Sequence, residues 1–590
     1  MNTTRGVSGQ RAATLYCCGI AIGPLSWLFC LALLLAVALG VVRAAGPGPG
    51  RWIGDLSPIS AADWDYDKAA HLLERVGFGG TPVEIERLAG MTPERAVDEL
   101  VNYTTIDNSE TPGFDASPIW DPGMDPFPKS RAEAVRIARE TGTSMGVAML
   151  PEGESRRLQP VVNKFFYGLR SNAIETQRLA IWFGERMLIT RRPLEEKLTL
   201  FWHGHFATGN GKVRDTRMML QQNEMLRANA AGSFRDLLVG ILTDPAMLVY
   251  LDNGENRKGH PNENFGRELL ELFTMGVGNY TEQDIREASR AFTGWTVKNG
   301  EYLSHMGFKD SIWPYGRIQW HYEYRAIDHD GEKKTFLGEE GTFDGQEIIE
   351  IICRQDATAN FLARHIYNYF VADEIPVPQW SDTPPRDLEA VQFIADAYVR
   401  HDHSIRDILR DLFNSEFFKR SSFMRVKSPA EMVIGTLRTT GEYSLPSGGE
   451  TGIFDVMEEC GFMGQKLLDP PSVEGWHTGE EWITSGSLVE RVNFITNHLG
   501  DEANPGVNDM IIRIVDTPEK QISPVDLVDK CVEILGLSKI SEITRQELIT
   551  VAKSSRDRDQ GNQQDVETSL RGTILQLFKL IGSSKEYQLC

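Results

Sequence analysis

Apolar positions recur at helical spacing over most of the chain. In "YDKAAHLLERVGFGGTP", Ala69, Leu72, Leu73 and Val76 share one face, and the run stops at Gly77 to Gly80. A second helix is predicted from Thr92 to Val101. The helical signal is nearly continuous from Arg131 to Trp295. It resumes over Phe343–Cys353, Ala357–Phe370, Asp387–Tyr398, Ile405–Asn414 and Ala430–Leu437. Two stretches break the pattern. Thr104 to Ser130 is rich in Pro, Asp and Ser without any period, so it reads as a long functional or covering loop. Ile318 to Gly338, "IQWHYEYRAIDHDGEKKTFLG", partly alternates, so one hairpin or a pair of short strands is predicted there. There is no fixed-period repeat. The expected fold is mainly α: a large helical domain over 61–500, a helical extension of the same unit over 501–590, and one small β element near 318–338.

The N-terminus has another character. Arg5 and Arg11 precede an uncharged stretch from Ala12 to Val42, then comes "RAAGPGPG". Residues 1–44 read as an export signal with small residues at Val42 and Ala44, or as an uncleaved anchor, because the apolar run is long enough to span a bilayer. Residues 45–60 read as a flexible linker. In either case the remainder is exported to the periplasm, cell envelope or medium, and residues 20–42 are the only candidate tether to a membrane. The formal net charge of −22 argues against a nucleic-acid partner, whose phosphates need Lys and Arg. Beyond the signal only Cys353, Cys460, Cys531 and Cys590 remain, too few and scattered for a disulfide scaffold.

Candidate chemistry gathers around "PNENFGRELLELFTMGVG", Pro261 to Gly278. On a helical wheel Phe265, Leu269, Leu272 and Phe273 form the core face, while Asn264, Glu268 and Glu271 form an oxygen-only stripe at its border. The next helix opens with a Thr281/Asp284 capping box and carries Arg286 and Arg290. Two readings stand side by side. In one, the acids pair with those arginines across the helical hairpin. In the other, the stripe faces a cation, with Asp252, Asn256, Asn264, Glu268 and Glu271 as oxygen ligands for calcium or a divalent transition metal. The loop is not an EF-hand, because Arg257 stands where that template needs glycine.

"FWHGHF" carries His203 and His205. If the helix from Leu194 reaches that far, His205 points inward with Leu198, Phe201 and Trp202, and His203 points outward. A buried histidine bonded to a carbonyl is the plain reading, and a mixed His/Glu metal site the sharper one. "IDHDGEKKTFLG" puts His329 and Asp330 in a turn, where they serve turn chemistry or acid–base work. Trp476 and Trp482 in "DPPSVEGWHTGEEWI" are expected to pack, with sugar stacking as the alternative. No P-loop, HExxH or framed GxGxxG occurs.

The blocks "AAHLLERVGFGGTP", "PLEEKLTLFWHGHFATG", "PNENFGRELLELFTMGVGNYTEQDIREASRAFTGW", "HDGEKKTFLG", "FLARHIYNYFV", "VKSPAEMVIGTLR" and "PPSVEGWHTGEEWITSGSLVERVNFI" follow one another in order. In this the chain resembles a large bacterial family, domain of unknown function 1800. The resemblance implies an exported, single large helical unit, with an exported companion family as a candidate partner, and it implies no chemistry. Its motif residues correspond to His205, Asn264, Glu268, Glu271, Arg290, Trp295, His329 and Asp330 here. The expectation is an exported metal-assisted hydrolase or oxidoreductase with His205, His329, Asp330 and Glu268 as catalytic groups. The alternative is a non-catalytic envelope binding or scaffold protein whose carboxylates are structural or hold calcium.

Overall fold

Caps set the helices where the apolar period places them. The computed structural model describes residues 56–114, 176–298, 321–375, 380–441, 458–476, 478–516, 522–537, 540–559 and 566–590. All of these belong to one unit, Pro47–Cys590. The export segment, most of the linker and most of the Thr104–Ser130 loop lie outside the described residues. Among the described residues, no helix is long and apolar enough to cross a membrane.

Asp65 accepts from the Lys68 amide and starts the helix Tyr66–Val76. Thr81 with Glu84, Thr281 with Asp284, Asp344 with Glu347 and Ser428 with Glu431 form capping boxes. Each box satisfies amides that a helix start leaves unmatched. The later helices run Gly345–Cys353, Asp356–Phe370, Leu388–Arg400, Ile405–Asn414 and Pro429–Thr440, each within a few residues of its expected span.

The chain is mainly α, with two small antiparallel ladders among the described residues. Strand β1 (Trp295–Lys298) pairs with β2 (His321–Tyr324), Trp295 opposite Tyr324. Strand β3 (Lys334–Phe336) pairs with β4 (Glu339–Gly341). The window read as one β element thus holds two strands, but they do not pair with each other. Leu337 and Gly338 both have positive φ, 47° and 84°, which closes a tight hairpin onto Glu339.

Two apolar clusters fill the interior. The helix Pro193–His205 serves both: Leu194, Leu198, Phe201 and Trp202 enter one, Leu200 the other. It is therefore buried on every side, and its charged residues need internal partners. Glu196 accepts from Arg227 at 2.8 and 3.0 Å and from Arg186 at 2.8 Å. Lys197 donates to the Gly77 carbonyl at 2.6 Å and pairs with Glu431 at 2.5 Å. Arg425 grips the same Glu431 bidentately at 2.6 and 2.8 Å. Burial opposes the charge on Glu431, yet Arg425 and Lys197 hold its carboxyl well below the ordinary range. The Cys590 thiol accepts from Arg75 at 3.3 Å and Arg425 at 3.6 Å. Cys353, Cys460, Cys531 and Cys590 are all buried and unbridged.

Candidate functional site

The helix of "PNENFGRELLELFTMGVG" is α only over Glu263–Glu268, and Leu269–Thr274 forms a π turn. Thr274 Oγ1 donates to the Leu269 carbonyl at 2.6 Å, five residues back. Such turns widen the coil and are frequent at functional sites. Here the Phe273 carbonyl accepts from His205 Nε2 at 2.9 Å. That bond fixes the tautomer, because a carbonyl only accepts. Nε2 carries the proton and Nδ1 is left as a bare acceptor. His205 Nδ1 has no hydrogen-bond partner among the described residues.

Opposite this helix end lie the loop segments 465–476 and 478–482. Asn210 N donates to the Leu468 carbonyl at 2.9 Å, and Gly211 N donates to Asp469 Oδ1 at 2.9 Å. Gly475 (φ +94°) lies so close that a Cβ there would stand 2.4 Å from the Gly204 carbonyl oxygen. Between helix and loop opens a cleft of about 150 Å³. Its walls include Phe201, His205, His365, Tyr369, Trp476 and Trp482. His365, from the helix Asp356–Phe370, meets His205 edge to face with ring centroids 4.6 Å apart.

Burial pushes His205 down to about 4, and its bond to Phe273 offsets only part of that. Burial, then the neighbouring His205 and Arg364, hold His365 well below its usual value. Both rings are therefore neutral at neutral pH. His365 Nε2 and Trp476 Nε1 are buried and also lack partners among the described residues, as does His203 Nε2. His203, expected to face outward, is buried and meets Trp476 at 5.3 Å, because the second apolar cluster covers that side of the helix.

Glu268 stands one turn before Leu272, which lines the cleft. Burial, then the charge of Glu271 and that of Glu474, push its carboxyl up to about 7, and Arg267 counters only in part. The Arg267 guanidinium is engaged by Glu282 at 3.0 and 2.7 Å. Neither arginine expected to answer the oxygen stripe does so. Arg286 pairs with Glu263 at 3.5 Å, and Arg290 grips Asp330 at 2.8 and 3.3 Å.

The other residues singled out in the sequence sit elsewhere. Asp252 pairs with Lys212 at 2.7 Å on the surface. Asn256 staples its loop, donating to Asn253 Oδ1 and the Ser289 carbonyl and accepting from Asn262 N. Asn264 donates to the Leu251 carbonyl at 3.3 Å, and Glu271 accepts from the Tyr280 hydroxyl at 3.1 Å. His329 Nδ1 donates to the Thr293 carbonyl at 3.0 Å. Despite burial, Arg290 and the Glu332 amide hold Asp330 below its usual value. Neither these residues nor Glu268 line the cleft. Among the described residues, no group of three or more His, Cys, Asp or Glu side chains is placed to hold a metal ion. Sequence reasoning missed His365 and Tyr369; the only hint was a polar ring four residues after Phe361 on an apolar helix face.

A helical protein with an aromatic cleft closed by one loop is thus the class that fold and site define. The family model described as "Protein of unknown function (DUF1800)" matches residues 71–589, and the chain belongs to that family. No curated protein and no solved structure matches the chain.

Proposed function

We propose that this is an exported hydrolase working by acid–base catalysis at the cleft. Glu268 moves the proton, and His205 orients the bound substrate. The observation that carries the reading is the half-buried Glu268 carboxyl, one turn before the cleft-lining Leu272 and close enough to feel the charge of Glu474 in the cleft wall, pushed up to about 7. A carboxyl poised near the working pH takes a proton from an attacking water and returns it to a leaving group. The numbers separate it from the other candidates. His205, at about 4, is a weak base but a well-held acceptor. Asp330 stays ionised and tied to Arg290. Export is supported by Arg5, Arg11 and the uncharged Ala12–Val42 stretch.

The test is release of reducing ends from cell-wall glycan by the purified full chain. Glu268→Gln lowers the rate about 10²–10⁴-fold with the melting temperature at pH 4 unchanged. Wild-type rates in Glu268→Gln, or no release by the wild type, overturn the proposal. Elemental analysis of the same preparation checks the metal-assisted form of the reaction.

A further inference from the structure

We propose that the cleft takes an uncharged, hydroxyl-bearing six-membered ring, a hexopyranose unit of a neutral glycan. This rests on the cleft being the substrate site and not on the role given to Glu268. Three observations lead to it. The first is size: a cavity of about 150 Å³ holds one benzene-sized ring. The second is the wall. Phe201, Tyr369, Trp476 and Trp482 present aromatic surface of the kind that packs on the C–H face of a sugar.

The third is the unmet hydrogen-bonding capacity. His205 is 7% exposed, and its Nδ1 is a bare acceptor. Trp476 Nε1 is a donor only, and it too lacks a partner among the described residues. A buried polar atom left unmatched is costly, so such a concentration around one cleft calls for a ligand. A set that mixes a bare acceptor with a bare donor suits hydroxyl groups, which do both. The charges agree. Arg425, the cation in the wall, is held bidentately by Glu431. Glu474 and Glu481 line the same cleft and disfavour an anion.

The experiment is titration calorimetry on the full chain with three tetramers: cellotetraose, the anionic galacturonic acid tetramer and the cationic glucosamine tetramer. Cellotetraose is expected to bind saturably, at least tenfold more tightly than either charged tetramer. Trp476→Ala weakens it at least tenfold. Trp476→Phe, which keeps the ring and removes the N–H, weakens it several-fold. Melting curves of both variants confirm that they fold. No binding of cellotetraose, equal or tighter binding of a charged tetramer, or indifference to Trp476→Ala and Trp476→Phe overturns the proposal. Binding is read without turnover, so a failed hydrolysis assay leaves this inference standing. Glycan hydrolysis without cellotetraose binding would sink this inference alone.

Discussion

The two ends of the helix Pro193–His205 treat buried polar groups in opposite ways. Near its start, Glu196 and Lys197 are fully buried, and none of their polar atoms lacks a partner. At its end, His203 and His205 are also buried, yet each keeps a nitrogen unmatched among the described residues. The first end fastens the fold. A charge that has lost its water is tolerable only in complete company, and Arg227, Arg186 and Glu431 supply it. The second end holds capacity that the fold itself does not use. The contrast separates structural polarity from polarity kept for a ligand, within thirteen residues of one helix.

The sharpest way to break the comparison is Glu431→Ala. It leaves Lys197 and Arg425 buried without their carboxylate, and about 3–5 kcal/mol of stability is expected to be lost in chemical denaturation. His205→Gln, at the other end, is expected to lose only about 1 kcal/mol, one hydrogen bond to the Phe273 carbonyl. Equal losses would end the distinction. Asp330→Ala comes next, with about 1.5–3 kcal/mol lost as Arg290 loses its bidentate partner. Wild-type activity per folded molecule in that variant would mark Asp330 as structural.

A pair of alanines probes the cleft. Gly475→Ala forces a side chain against the Gly204 carbonyl from a positive φ and is expected to cost about 1–3 kcal/mol. Gly204→Ala meets only the Trp476 ring at 3.4 Å and replaces glycine within a helix, so it is neutral or stabilises by up to about 1 kcal/mol. The effect at Glu268 depends on pH. Its carboxyl rises from 4.5 unfolded to about 7 folded, so the folded state binds the proton more tightly. The stability this contributes is complete below pH 4.5 and is lost as pH rises through about 7. Glu268→Gln should therefore melt above the wild type at pH 8 and level with it at pH 4; a difference that does not grow with pH would refute the assignment.

Most helices were legible because caps and apolar spacing are local. Thr281 with Asp284 and Ser428 with Glu431 announce their helices within four residues. What failed was set at a distance. Arg290 chose Asp330, forty residues on, over the acids of the neighbouring helix. His203 turned inward because a second apolar cluster covers it. The pairing of β3 with β4 was decided by the positive φ of Leu337 and Gly338, which an apolar pattern does not encode. His205 was singled out from its apolar face; His365 sits on an apolar face too, but only the packing of two helices brings the rings together. The oxygen stripe met other partners: Asn264 donates to the Leu251 carbonyl and Glu271 accepts from the Tyr280 hydroxyl, neither of which a helical wheel encodes.

That π turn also sets a length requirement. Delete one residue between Leu269 and Thr274, and the segment can close as ordinary α-helix, with everything beyond it swung by about 100°. The Phe273 carbonyl would leave His205, and the imidazole would lose the bond that sets its tautomer. The length of this segment and the orientation of His205 are thus coupled. Chains that keep the histidine should keep the extra residue, and chains that drop it are released from carrying either.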